Sequence, residues 1–309
     1  MIQKKIVQII LGAGRPFSGK KNASLTKVSS DVRVLDWTLQ AAKFLNPEVH
    51  FIAGYQIDEI VSRYPSLHYT INPKWSSTGP IISLLEARVA HDAEYIVSYG
   101  DILFREKTVR ELVDLGADVS LAVDSMWKER YSSRTLEDIN RSEKVIISEG
   151  NVLSSGSNIS TETANAEFIG LMTLKPEVIM FLENNLELFP ADMRRANLTR
   201  LLEFLRDHGF AIKIVDVEGD WAELNEAHDL ANFVLGTKAQ SLKRLEEVDF
   251  NKYHLDNPFV ESCFALYQWS PVADELKVLD KKIVLNSMKI KWNLVEDEFK
   301  KLTKKLSFD

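Results

Sequence analysis

The chain has 309 residues, with 38 Lys and Arg against 45 Asp and Glu, for a formal net charge of −7. That acidic balance excludes a general nucleic-acid binder, whose footprint is a surplus of basic residues. A chain this long buries a core without disulfide staples, and its length fits about two domains or one large α/β domain with additions. The single cysteine, Cys263, cannot form an internal disulfide, which fits a reducing cytoplasm. The opening MIQKKIVQIILGAG has too short an apolar stretch for a leader and no small-residue cleavage site. No run of ~20 apolar residues is present, so no membrane span is expected.

Residues 4–11 form a short, nearly continuous, β-branched apolar run, the pattern of a strand buried on both faces of a parallel sheet. Helical spacing over 34–46 puts Leu35, Leu39, Ala42 and Leu45 on one side. Strands are then expected at 48–54, 68–72, 94–99 and 118–124, with helices at 57–64, 80–91 and 106–116 between them. This alternation predicts βαβ units with right-handed crossovers. Beyond 125 the texture changes. Residues 144–154 and the polar stretch SSGSNISTETANAE predict a hairpin or irregular insertion over the site. A strand at 167–175, helices at 176–187 and 192–208, a strand at 211–217 and a helix at 227–235 follow. Residues 236–309 are less regular, with scattered aromatics and an amphipathic end at 294–306. They read as a small C-terminal addition that packs on the main domain or on a partner.

In a parallel sheet the ligand lies beyond the carboxyl ends of the strands. Three segments follow predicted strand ends. The first is LGAGRPFSGKKNASLTKV, where Gly12, Ala13 and Gly14 offer backbone amides to an anion and Arg15, Lys20, Lys21 and Lys27 supply charge. It lacks the third glycine of a dinucleotide fingerprint and the G-K-[S/T] of a P-loop. A surface loop with solvated lysines fits these residues equally well. The second is SYGDILF, whose Asp101 suits Mg²⁺, a cation that takes one or two carboxylates plus substrate phosphates, or else a plain strand-end turn. The third is GDWAELNEAHDL, where Glu223 and Asn225 alternate on an extended stretch and so face one way. Asp220 and Glu226 read as a solvated turn and helix start, and Asp229 as part of the next helix.

These segments together resemble the nucleotidyltransferases that make sugar-nucleotides and CDP-activated compounds. L-G-A-G with its basic loop is similar to their opening, L-A-A-G-x-G-x-R…P-K-x-L. SYGDILF resembles their metal-binding aspartate segment, and WAELNEAHDL their second metal segment, W-x-E-I-D-x-x-x-D-L. NPKWSSTGPIISLLEA resembles their base-contact loop and the helix behind it, and EFIGLMTL their acceptor-side strand. More narrowly, GRPFSGKKNASL, RVLDWTL and YGDILF look like cytidylyltransferase-type domains of phosphonate or phosphate-ester metabolism. The sequence departs from the pattern in three places. Pro16 follows Arg15 where a glycine is expected, Ala23 aligns with the family lysine, and Asn225 replaces a metal-segment aspartate.

The resemblance implies a three-layer, Rossmann-like α/β fold over residues 1–235 with a mostly parallel mixed sheet, an acceptor-side insertion at about 125–175, and an extension at 236–309. It implies transfer of CMP from CTP to a small phosphate or phosphonate acceptor, dependent on Mg²⁺, with pyrophosphate released. Arg15 with Lys20 or Lys21 would neutralise the leaving pyrophosphate. Leu11, Gly12, Ala13, Gly14, Thr78, Gly79 and Asp101 would hold the nucleotide. Lys128, Arg130, Arg134 and Glu167 would meet the acceptor, with solvated basic residues an equal reading of the first three. Asp101, Glu223 and Asn225 would hold the metal. Two alternatives remain from the sequence: a sugar-1-phosphate uridylyl- or thymidylyltransferase, and a lapsed nucleotidyltransferase-like binding domain. A glycosyltransferase ranks below them, since no acid-x-acid pair stands at 99–103. Neither nucleic acid nor membrane is an expected partner. The extension is a candidate surface for self-association.

Overall fold

In the computed structural model, the described residues are 5–15, 21–28, 32–131, 136–156, 158–224 and 229, with the pairs 267–268 and 277–278. The expected helix at 227–235 (apart from Asp229), Cys263 and the extension at 236–309 (apart from those two pairs) lie outside them. In chain order the elements are β1 (Lys5–Leu11), α1 (Val34–Ala42), β2 (Glu48–Ala53), α2 (Ile57–Arg63), β3 (His68–Ile71), α3 (Pro80–Glu86), β4 (Ala93–Tyr99), β5 (Ile102–Leu103), α4 (Glu106–Leu115) and β6 (Val119–Asp124). Then come α5 (Trp127–Arg130), α6 (Leu136–Arg141), β7 (Lys144–Ser148), β8 (Asn151–Ser155), β9 (Ala166–Leu174), α7 (Pro176–Asn184), α8 (Leu198–Asp207), β10 (Ile212–Asp216) and β11 (Ala222–Glu223).

Nine strands form one mixed sheet in the order β3-β2-β1-β4-β9-β6-β10-β8-β7. β3, β2, β1 and β4 pair in parallel, as do β6 and β10. β9 runs against both β4 and β6 and so joins the two parallel sets. Its insertion follows from chain length. The β7–β8 hairpin turns the chain round before β9, and an antiparallel strand needs no crossover helix.

Strand alternation divides the core. Val7, Ile9 and Leu11 of β1 pack with α3, α7 and α8 through Ile81, Leu84, Ile179, Leu182 and Leu202. Ile6 faces the opposite way with Ala41 of α1 and Val109 and Leu112 of α4, and Ile10 does so with Leu35 and Ile60 of α1 and α2. Both faces of the sheet therefore carry helices, which is why β1 is apolar at nearly every position. Between Ile9 and Ile6, Gln8 is also buried and donates to the carbonyl of Thr38 at 3.2 Å.

Two helical expectations need correcting. Residues 191–194 form a separate 3-10 turn and α8 begins only at Leu198. Helix α3 ends at Glu86 rather than continuing to 91. In both places the apolar spacing runs on across a break that only the backbone shows. Among the described residues, no helix is long and apolar enough to cross a membrane.

Candidate active site

The first glycine loop is set by contacts that the sequence does not advertise. Gly12 donates to the carbonyl of Ile52 at 3.0 Å, which prolongs the β1–β2 ladder by one step. A Cβ on Gly12 would lie 2.1 Å from Cζ of Phe51, so no larger residue fits. Gly14 is different, because nothing lies within 4 Å of its missing Cβ. Asn22, buried at 2% exposure, donates to the carbonyls of Gly12 at 2.8 Å and Tyr55 at 3.1 Å. Tyr55 in turn donates its amide to the carbonyl of Ala13 at 3.0 Å. Among the described residues, no backbone acceptor takes the amides of Ala13, Gly14 or Arg15. Gly14, Arg15 and Lys21 are exposed, whereas Leu11, Gly12 and Ala13 are buried. The loop thus carries exposed Gly14, Arg15 and Lys21 on a fixed base, with Arg15 5.7 Å from the ring of Tyr55. Lys20 lies outside the described residues.

Asp101 sits beside this loop. Gly100 donates its amide to the carbonyl of Leu11 at 3.1 Å, and a Cβ there would lie 3.1 Å from Cα of Gly12. Ser24 donates its hydroxyl to the carbonyl of Gly100 at 2.8 Å. These bonds hold the turn before Asp101 against the glycine loop.

Glu223 reaches the same place through a short antiparallel pair, β11 on β5, in which it faces Ile102. Leu224 donates its amide to the carbonyl of Asp101 at 2.9 Å. The chain is brought there by two anchors. Asp124, buried at the end of β6, accepts from the amides of Met126 and Gly219 and from the indole N–H of Trp221 at 2.8 Å. Asp220 pairs with the guanidinium of Arg105 at 3.1 Å. Asp220 thus follows the turn expected from the sequence with its carboxylate 45% exposed, and also anchors it through Arg105. Asp229 is helical and buried.

Burial, and then the negative charge of Glu223, push the carboxyl of Asp101 up to about 7. Two carboxylates held close enough to repel each other, on backbone fixed by hydrogen bonds, suit a divalent cation. Among the described residues no cluster of three His, Cys, Asp or Glu side chains could hold a metal, and Asn225 lies outside them. The donor set of two carboxylates fits Mg²⁺, which completes its shell with water and substrate phosphates.

Thr78 and Gly79 belong to a loop organised by Asn72 at the end of β3. The Asn72 amide contacts the hydroxyls of Thr78 and Ser83, each at 3.0 Å, and its carbonyl oxygen accepts from the amide of Lys74 at 2.9 Å. The ring of Trp75 packs against Tyr55 at 5.5 Å, which connects this loop to the glycine loop. Gly79 lies against 194–196: it donates to the carbonyl of Arg194 at 2.8 Å, and its missing Cβ would be 2.5 Å from the carbonyl oxygen of Ala196.

The residues expected on the acceptor side are placed differently. Lys128 is exposed on α5 with its ammonium 5.6 Å from the Trp127 ring. Arg130 ends that helix; its side chain, and the whole of Arg134, lie outside the described residues. Glu167 is buried and accepts from the hydroxyl of Tyr131 at 2.6 Å, next to Lys144 across the strand pair. Its contact with Tyr131 fixes the end of α5.

Sequence reasoning did not single out Tyr99 or Glu143. Tyr99 donates to the Glu143 carboxylate at 2.5 Å, and Thr199 at the start of α8 donates its amide to the other Glu143 oxygen at 3.2 Å. Burial pushes Glu143 up to about 7 against these bonds, and the charge of Glu223 adds to the rise. Tyr99 stood within the quoted SYGDILF segment, but nothing in the local pattern around Glu143 marks it.

No protein-family model matches the chain. It is 23% identical over 247 residues to the CTP:phosphoglutamine cytidylyltransferase of Campylobacter jejuni, covering 72% of this chain and 96% of that protein. The fold is similar to that of the inositol-1-phosphate CTP transferase from T. maritima, with a TM-score of 0.56, 16% identity, and coverage of 75% of this chain and 96% of that one. It is also similar to a UDP-glucose pyrophosphorylase complexed with UDP-glucose, with a TM-score of 0.58, 13% identity, and coverage of 76% and 99%. The chain is thus similar over most of its length to a cytidylyltransferase, and its fold is shared with nucleotidyl-transferring enzymes of known structure. The glycine loop and the turn carrying Asp101 follow the neighbouring strands β1 and β4, and Glu223 lies on β11, which pairs with β5 just after Asp101 in a separate two-stranded sheet.

Proposed function

We propose that this protein is a nucleotidyltransferase that moves CMP from CTP to a small phosphate or phosphonate acceptor and releases pyrophosphate. The observation that carries the proposal is the approach of Asp101 and Glu223 beside a glycine loop whose Gly14 and Arg15 are exposed. The curated relative supports CTP as donor and a phosphorylated acceptor, since its name states both.

An acceptor oxygen attacks the α-phosphorus, and the bond from that phosphorus to the bridging oxygen of the β-phosphate breaks. The acceptor oxygen is already anionic at neutral pH, so no general base is required. The barrier lies in bringing two anions together, and the protein lowers it by positioning and charge. The amides of Gly14 and Arg15 would cradle the triphosphate, with Arg15 and Lys21 neutralising the leaving pyrophosphate. Lys20 would share that role. Trp75, Thr78 and Gly79 would border the base, and Lys128 and Arg130 would draw in the acceptor. Asp101 and Glu223, with Asn225, would hold Mg²⁺, which when bound supplies positive charge to the phosphates.

A lapsed, binding-only domain has no use for two mutually repelling carboxylates, which cost stability. The test is a screen of CTP, UTP, dTTP and ATP for Mg²⁺-dependent pyrophosphate release. The acceptors are phosphoglutamine, inositol 1-phosphate, glucose 1-phosphate and a simple alkylphosphonate. Release with CTP and a phosphate or phosphonate is the expected result. Release with only UTP or dTTP and glucose 1-phosphate would replace this reading by the sugar-nucleotide one, and no release with any pair would remove it.

A further inference from the structure

We infer that Glu143 and Tyr99 form a positioning bridge that couples the Thr78–Gly79 loop to Asp101. The inference deepens the proposed transfer reaction and rests on that reading for its catalytic consequence.

The bridge is continuous on hydrogen bonds and close packing. Gly79 is bonded to the carbonyl of Arg194, and the Arg195 guanidinium donates to the carbonyl of Ser77 at 3.3 Å. The absent side chain of Gly79 lets the loop rest on the carbonyl of Ala196. Residues 194–196 lead directly into α8. The first two amides of that helix are taken by the bridge: Leu198 donates to the Tyr99 hydroxyl at 3.4 Å, and Thr199 donates to Glu143 at 3.2 Å. The Tyr99 hydroxyl closes the triangle by donating to the other Glu143 oxygen at 2.5 Å. Tyr99 is two residues before Asp101 in the chain. Its ring is pinned from below by Gly170, whose missing Cβ would lie 2.3 Å from the ring.

The chemistry of this bridge calls for these residue types. The first amides of a helix lack partners within the helix, and a carboxylate beside them is favoured by the helix dipole. Only a carboxylate offers two acceptor oxygens, one for the helix amide and one for the tyrosine. Only tyrosine carries a hydroxyl on an arm long enough to leave β4, donate to Glu143 and still accept from Leu198. A helix cap made for stability alone could have been a local serine or aspartate just before α8. Here the cap comes from residue 143, at the threshold of β7, and lies near enough to Glu223 to feel its charge. A movement of the base loop is thereby transmitted through 194–196 and the start of α8 to the turn that carries Asp101.

Hydrogen exchange and kinetics on the full chain test this together. Tyr99→Phe removes one hydroxyl, Glu143→Ala removes both acceptor oxygens, and Glu143→Gln keeps the shape but only one acceptor oxygen. Peptides covering 196–200 and 76–80 should exchange about tenfold faster in Glu143→Ala, with strands β1 and β2 unchanged and Glu143→Gln intermediate, since it can keep only one of the two bonds. With CTP and the best acceptor of the screen, both Tyr99→Phe and Glu143→Ala should lower kcat about tenfold. The double variant should be within about twofold of Glu143→Ala, because both act through one bond. Unchanged exchange at 76–80 in Glu143→Ala would overturn the coupling, as would losses that multiply in the double variant. If the wild type releases no pyrophosphate with any pair, the transfer reading fails. The exchange result then still decides whether the coupling exists.

Discussion

Leu224 donates its amide to the carbonyl of Asp101 at 2.9 Å, and this one bond sets the carboxylates of Glu223 and Asp101 against each other across the β5–β11 pair. The backbone leaves them little freedom to separate. The consequence shows in stability as well as in chemistry.

Asp101 is raised from 3.8 to about 7, so the folded protein holds this proton more tightly than the unfolded chain. Its contribution to stability is fully present below about pH 4 and is lost as pH rises through 7. Metal-free wild type should therefore lose stability between pH 4 and 7. Asp101→Asn should flatten that decline and melt higher than wild type at pH 8, by about 2–4 °C for each kcal/mol regained. Thermal unfolding in a chelator across this pH range checks it. The same variant should lower turnover by at least about a hundredfold, in line with the loss of a main electrostatic contributor.

The two glycines of the first loop should respond in opposite ways. Gly12→Ala drives a methyl into Phe51 and should cost about 1–3 kcal/mol, the usual range for overpacking. Phe51→Leu should recover part of that loss. Gly14→Ala meets nothing and should melt like wild type. Urea denaturation of the three variants separates these outcomes.

Arg15 and Lys21 should matter to the nucleotide and not to the fold, because both are exposed. A hydrogen bond to a charged group contributes about 1.5–3 kcal/mol. Arg15→Ala and Lys21→Ala should each lower kcat/KM for CTP by about 10–100-fold with an unchanged melting temperature. Full activity in both would show that the triphosphate lies elsewhere.

Asn22 carries the loop from beneath. Asn22→Ala leaves the carbonyls of Gly12 and Tyr55 without their buried donor, which costs about 1–3 kcal/mol. It should also raise KM for CTP, because the amides at 14 and 15 lose their fixed base. Calorimetric titration of CTP into this variant, beside its unfolding curve, reads both effects.

Much of this protein was legible in residue order alone. Apolar runs such as Ile6 to Leu11 and Val119 to Val123 announce buried strands, because a strand covered on both faces has no polar side to show. Glycine after such a run marks a place where backbone must come close to something. Asp101 and Glu223 could be named for the same reason, since both follow strand ends where ligands of α/β sheets gather. What only the tertiary structure decided is which distant groups hold these in place. Asn22 under the glycine loop, Asp124 beneath Trp221, Arg105 against Asp220 and Glu143 at the start of α8 are ordinary polar residues in unremarkable local patterns. Their roles come from hydrogen bonds between chain segments far apart in the sequence, and local periodicity carries no information about such partners. The raised carboxyl of Asp101 has the same origin: it depends on burial and on the position of Glu223, which exist only once β11 has paired with β5.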